Sequence, residues 1–270
     1  MQDHEVAVLA AEAGATVVRE RLGSRFVRIA KSGDDFATDV DVAAEHAMLD
    51  VIHRYRPMDG VTAEESGETG PTGQARRWLV DPLCGTVNYA AGTGPIGVNV
   101  ALRELGGQAT RAAVADPLAG EVIWTDGHRS FVRHGTTDHP AVPDTTLRLV
   151  DLNLDAPTPT PQTMRTVRLL AEPQFQIHFR PRVSSTSLAL AWVAVGKRAA
   201  YVTEGDMLDN VHFAAAIAVC LAAGCVVTNL SGGSWHHRDG GLIAAGDAAT
   251  HAALVVQIGT SHGLGDRRLR

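Results

Sequence analysis

Lysine is nearly missing from this 270-residue chain: of its 24 lysines and arginines, only Lys31 and Lys197 are lysines. The net charge is −6 and no basic stripe runs along any segment, so nucleic acid polymers and anionic membranes are poor partners. The cations that remain are arginines, whose planar forked head suits phosphate. Cysteine is almost as scarce. Cys84, Cys220 and Cys225 are odd in number and lack the paired spacing of a zinc knuckle or a secreted disulfide framework, which points to a reducing cytoplasm. No signal pattern opens the sequence, and every apolar run is interrupted before it is long enough to span a bilayer.

What is present is patterned. Val6, Leu9, Ala10, Ala13, Val17 and Val18 recur at helical spacing, predicting an amphipathic helix over 3–22. Asp41 precedes a second helical run that ends at Arg56-Pro57. Residues 95–104, 110–116 and 120–125 read as antiparallel strands separated by Gly106-Gly107 and Pro117. A Pro-rich loop from Ala156 to Pro161 falls near the boundary between two lobes, 1–150 and 151–270, of one unit. Helices are expected from Ser185 to Val195 and from Val211 to Ala223. Trp124, Trp192 and Trp235 read as packing residues, and His236-His237 as solvated surface.

The segment with the most chemistry runs from Trp78 to Tyr89. Trp78-Leu79-Val80 suits a buried strand, Asp81-Pro82 is expected to stop it at the sheet edge, and Gly85-Thr86 permits a tight turn. An acidic residue at a strand end, followed by glycine and a hydroxyl, can hold a hard cation and turn backbone amides toward an anion. An ordinary Asp-Pro turn with a core cysteine is the alternative. Further carboxylates lie upstream, in Thr62-Ala63-Glu64-Glu65-Ser66-Gly67-Glu68 and in the segment from Lys31 to Asp41. Grouped carboxylates are what a Mg²⁺ site needs.

These motifs resemble the inositol monophosphatase family of magnesium-dependent phosphomonoesterases, nearly end to end. Asp81 to Tyr89 resembles its Asp-Pro-Leu-Asp-Gly-Thr-x-Asn-Phe, and Ala63 to Ser66 its Gly-Glu-Glu-Ser. Gly92–Leu102, Ala113–Val122, Ser184–Lys197 and Ala214–Thr228 resemble later family segments in the same order. The resemblance implies a layered αβαβα sandwich, an α/β fold with two lobes, and a homodimer. It also implies a first metal site made by Glu64, Asp81 and the carbonyl of Leu83, and a water-activating pair, Thr86 and Asp41. Gly85, Thr86, Ser184, Ser185, Thr186 and Glu204 match positions that face the phosphate or its alcohol. N-capping of a helix by Ser184 or Ser185 is the competing reading of those hydroxyls.

The resemblance fails at two positions. Where the family's second metal site has aspartates, this chain carries Cys84 and, before the Ala214-Ala215 pair, His212; a three-residue slip would substitute Asp209. Sulfur and imidazole favour Zn²⁺ or Mn²⁺ over Mg²⁺ as soft or borderline ligands replace oxygen. Three outcomes remain open: a mixed site using Glu64, Asp81, Cys84 and His212, a single-ion Mg²⁺ site, or His212 acting as a proton donor in place of the ion. Two functions follow. One is a phosphatase acting on a small phosphorylated polyol, sugar or nucleotide; the other is a repurposed member of a specialised biosynthetic pathway that binds its ligand or transforms it without hydrolysis.

Overall fold

The structure, a computed structural model, describes residues 1–31, 35–71, 76–104, 107–155, 165–236 and 240–263, with side chains described through Thr260. The Ala156–Pro161 loop and His237 lie outside the described residues. In chain order the first part comprises α1 (Asp3–Arg21), β1 (Arg28–Ala30), β2 (Phe36–Thr38), α2 (Asp39–Tyr55), β3 (Gly60–Ala63), β4 (Gly67–Thr69), β5 (Arg76–Cys84) and α3 (Thr86–Ala90). A meander follows: β6 (Gly97–Glu104), β7 (Ala109–Asp116), β8 (Glu121–Thr125), β9 (Ser130–His134) and β10 (Thr137–Pro140). The second part comprises β11 (Leu149–Leu152), α4 (Arg165–Ala171), α5 (Pro173–His178), β12 (Arg180–Val183), α6 (Ser187–Ala194), β13 (Ala200–Thr203), α7 (Ala214–Ala222), β14 (Val226–Thr228), β15 (Leu242–Ala245) and α8 (Ala248–Gly263).

Besides the short antiparallel pair β1-β2, two sheets organise the described elements. The larger has the order β10-β9-β8-β7-β6-β5-β3-β4 and is antiparallel except for β3 beside β5; the smaller has the order β12-β11-β13-β15-β14. Side-chain alternation shows how they stack. Trp78, Val80, Val100 and Ala113 face α1 and α2, while Leu79, Ala101, Ala112 and Val114 on the same strands face α6 and α7. On the smaller sheet, Tyr201 and Ala244 turn toward α6 and α7, whereas Val150, Val202 and Ile243 pack against Leu169 of α4 and Leu254 of α8. The layers are therefore α1/α2, sheet, α6/α7, sheet, α4/α8: an αβαβα sandwich. Its central helices lie between two sheets and need no polar face, which accounts for their nearly unbroken apolar sequences, Ser187-Leu-Ala-Leu-Ala-Trp-Val-Ala194 and Ala214-Ala-Ala-Ile-Ala-Val-Cys-Leu-Ala222.

Four local expectations need correction. The strand at Trp78 does not stop at Asp81-Pro82 but continues to Cys84 in the sheet interior, because a bulge accommodates the proline: Asp81 pairs with Asn99 and Cys84 with Gly97, three residues against two. The second helix begins at Asp39, before Asp41, with Thr38 as its N-cap. The helix expected from Val211 begins only at Ala214, because Asn210 takes the amide of His212 on its side chain and those of Phe213 and Ala214 on its carbonyl. The cap of α6 is Thr186, whose hydroxyl accepts from the Leu188 amide, and not Ser184 or Ser185.

Candidate active site

The bulge in β5 builds the floor of the site. Residues three apart on a regular strand face opposite sides; the extra residue between Asp81 and Cys84 turns both side chains toward one point. Asp81 is fully buried, with Oδ1 accepting from the Leu83 amide at 3.1 Å and Oδ2 from Asn99 Nδ2 at 3.2 Å. Gly85 then turns with φ of +105°, and an added Cβ would stand 3.0 Å from the Pro95 carbonyl, so the turn into α3 requires glycine.

Thr86 opens α3 and reaches back. Its hydroxyl lies 3.2 Å from Asp41 Oδ1 and 3.1 Å from the Leu83 carbonyl, both acceptors, while it owns a single proton. Asp41 is buried at the third position of α2, where its Oδ2 takes the amide and hydroxyl of Thr38 in a reciprocal capping box. Helix capping thus fixes one oxygen of Asp41 and leaves the other for Thr86. Burial raises the Asp41 carboxyl above its ordinary range despite these hydrogen bonds.

Glu64 approaches from the turn after β3. Buried Glu45 on α2 shapes that turn by accepting the amides of Glu65 and Ser66 at 2.8 and 2.9 Å. Lys31 Nζ bridges Glu64 Oε1 and Glu65 Oε1, each at 2.8 Å. The other Glu64 oxygen, Oε2, is buried without a hydrogen-bond partner. Burial and the neighbouring Asp81 charge push the Glu64 carboxyl up to about 8, although His212 and Lys31 pull the other way. A buried acceptor without a donor, on a carboxyl raised by burial and set beside the Asp81 charge, fits a divalent cation. Glu64, Asp81 and the Leu83 carbonyl are an all-oxygen set that fits Mg²⁺.

His212 faces the same carboxylate. Its Nδ1 stands 2.9 Å from Asp81 Oδ2 and 3.9 Å from Glu64 Oε2, and its side chain is 41% exposed. Burial alone would disfavour the imidazolium, but the hydrogen bond and charge of Asp81, with help from Cys84, push it up to about 12. Asp81 responds in the opposite sense: burial raises its carboxyl, yet the His212 charge and hydrogen bond hold it below the usual range. Cys84 is buried, its Sγ accepts from the Ser187 amide at 3.2 Å, and burial together with the Asp81 charge raises its thiol. Asp81, Cys84 and His212 offer donor atoms all within 4.8 Å of one another. One sulfur and one nitrogen in three donors do not fit a second Mg²⁺.

The α6 N-terminus closes the site from the other part of the chain. Thr186 Oγ1 donates to the Cys84 carbonyl at 3.0 Å, and Ser187 Oγ donates to Asn99 Oδ1 at 2.9 Å, completing a chain from Ser187 through Asn99 to Asp81. Of the expected substrate-facing residues, Ser185 is partly exposed, but Ser184 is buried and donates to Asp151 Oδ1 at 2.7 Å. Glu204 is also buried, with Oε1 accepting the amide and hydroxyl of Thr166 at 2.9 and 2.8 Å. Asp209, the alternative to His212, is exposed and pairs with Arg103. His236 stacks on Trp235, with ring centroids 3.8 Å apart. Lys31, Asn99 and Ser187 had no role in the sequence reading, and no local pattern marks them.

The description of the inositol monophosphatase family matches residues 2–261. The chain belongs to the inositol monophosphatase family. It is 30% identical to the Nus factor SuhB of Escherichia coli K12 over 229 residues, 83% of each chain. Its fold is similar to that of the suhB extragenic suppressor protein of Bartonella henselae, with a TM-score of 0.81, 23% identity and coverage of 94% of this chain and 97% of that one. It is also similar to a solved IMPase/NADP phosphatase complexed with Mg²⁺ and phosphate, with a TM-score of 0.69, 18% identity and coverage of 90% and 89%. In this inositol monophosphatase family member, oxygen atoms of Glu64 and Leu83 lie on one side of Asp81, and sulfur of Cys84 and nitrogen of His212 on the other. Among the described residues, no helix is long and apolar enough to cross a membrane.

Proposed function

We propose that this chain hydrolyses a small phosphomonoester, of a polyol, sugar or nucleotide, by activating water beside a single hard cation. The observation that carries this reading is the Thr86–Asp41 contact next to Glu64, Asp81 and the Leu83 carbonyl. A Mg²⁺ bound by Glu64, Asp81 and Leu83 supplies charge neutralisation for phosphate and water. When the Leu83 carbonyl is so engaged, the Thr86 proton goes to Asp41, and the threonine lone pairs are left to accept a proton from water. Gly85 and the first amides of α3 face the phosphate. The leaving oxygen would depart on the His212 side of Asp81, where a positive charge, on the imidazole itself or on a cation that it holds, would neutralise it.

The net charge of −6 supports a small phosphorylated ligand over a nucleic acid; the Nus factor name belongs to the Escherichia coli relative. The eight-stranded sheet ends at Pro140 and the five-stranded sheet begins with Leu149, which supports two lobes divided just before the expected 150/151 boundary; the three free cysteines support a reducing cytoplasm, and the family resemblance a homodimer. Replacement of the second oxygen site favours a second reading, in which the pocket binds a phosphorylated ligand without hydrolysing it. Phosphate release from a panel of phosphomonoesters with Mg²⁺, Mn²⁺ and Zn²⁺ separates the two. Hydrolysis predicts Mg²⁺-dependent turnover of at least one ester. Ligand binding with no turnover under any ion would establish the second reading instead.

A further inference from the structure

We infer that Asp81, Cys84 and His212 form a site for one soft divalent cation of the zinc class, beside the hard-cation site and open on one side. The inference deepens the hydrolytic reading and rests on it for the hard ion next to the soft one; the three-donor geometry stands apart from catalysis. The three donor atoms already lie within 4.8 Å of one another. Ligands around tetrahedral zinc, with bonds of about 2.0–2.3 Å, stand roughly 3.5 Å apart, so the widest separation must contract by about 1.3 Å at most. Asp81 and Cys84 are fixed by β5 pairing, whereas His212 lies in the turn before α7 with its side chain 41% exposed, so the movement falls to the histidine.

Three further features aim at this point. The buried Glu64 Oε2 has no hydrogen-bond partner and stands 3.9 Å from His212 Nδ1, so it faces the same volume. The Ser187 amide, first in α6, points at Cys84 Sγ, and an N–H at a helix N-terminus favours thiolate over thiol. Asn99 holds Asp81 Oδ2 and is held in turn by Ser187, the outer-shell support that metal-binding carboxylates ordinarily have. Thiolate and imidazole select zinc-class ions over Mg²⁺, and three protein donors with one open position are the pattern of reactive rather than purely structural zinc. Binding replaces the Cys84 thiol proton and the His212 Nδ1 proton, both released to solvent, with no change of oxidation state.

The test uses the full chain and Co²⁺ as a spectroscopic substitute for Zn²⁺. One Co²⁺ per chain is expected, with a thiolate-to-cobalt absorption band and competition by one Zn²⁺. Cys84→Ala removes the band, while Cys220→Ala and Cys225→Ala retain it. Asn99→Ala lowers affinity by about 10–100-fold, as expected for an outer-shell partner. Cys84→Asp, which keeps a donor at the position if the alanine variant folds poorly, abolishes the band and shifts the preference toward Mg²⁺. Absence of a thiolate band in the wild type, or its persistence in Cys84→Ala, would overturn the inference. Failure to hydrolyse any ester while the band persists would count against the hydrolytic reading alone.

Discussion

Removing the Thr86 hydroxyl separates chemistry from folding in a measurable way. Thr86→Val keeps the side-chain shape and deletes one of the three hydrogen bonds to Asp41; the two from Thr38 remain, so Asp41 stays in place. The cost in stability should be about 1 kcal/mol, the net worth of an ordinary hydrogen bond. Loss of proton acceptance from water should slow turnover by about 10²–10⁴-fold, or about 3–5 kcal/mol in the barrier. Asp41→Asn should lose a similar factor, and because the two groups act through one proton, the double variant should be little worse than either single one. Phosphate release at saturating Mg²⁺, with urea unfolding of the same preparations, measures both quantities. The mechanism fails if the single losses multiply in the double variant, or if Thr86→Val turns over at the wild-type rate.

Two further predictions concern the frame around the site. Gly14→Ala would set a Cβ 2.7 Å from Met48 Sδ and 2.9 Å from Val98 Cγ1. The helix preference for alanine returns about 1 kcal/mol, but overpacking costs about 1–3 kcal/mol; Met48 can swing away and Val98 on β6 cannot, so net destabilisation of about 1 kcal/mol should appear in thermal unfolding. Asp3 is raised by burial but lowered more by its bonds to Arg76 and Arg56, leaving its carboxyl below the ordinary value of 3.8. Its stabilisation is therefore present above that value and lost as pH falls through the lowered one. Asp3→Asn should cost about 1 kcal/mol at pH 7, a difference that closes as the pH is taken down through the lowered value; a difference that stays constant into acid would show that the ion pair is not its source.

Which parts of the molecule could be read in advance follows from where the information lies. Helix α1 is legible from its helical repeat and strands β6 to β8 from nearly continuous buried runs, whereas β9 and β10, half-exposed and exposed, carry neither signal. Glu64 is marked by a short motif after β3, and Asp81, Leu83 and Thr86 by another at the end of β5. His212 is marked only by its distance from the Ala214-Ala215 pair, and the fold sets it beside Asp81 while Asp209 faces Arg103. The passage of β5 beyond Pro82 depends on pairing with Gly97 and Asn99, which the loop sequence does not encode. Ser187 and Asn99 are 88 positions apart, and Ser187 and Cys84 are 103 apart, so their contacts exist only once the layers have assembled. Glu204 and Ser184 show the converse: a matching position does not fix where a side chain turns, and both are engaged by Thr166 and Asp151.

The bulge in β5 makes ion choice separable from architecture. Its geometry is written in main-chain pairing and in the Gly85 turn, neither of which depends on whether position 84 presents sulfur or oxygen. Exchange at Cys84 and His212 can therefore retune the element held there, hard or soft, while every layer of the sandwich keeps its register. A lineage carrying this scaffold can change its metal economy through two side chains, without having to find a new fold in which to do so.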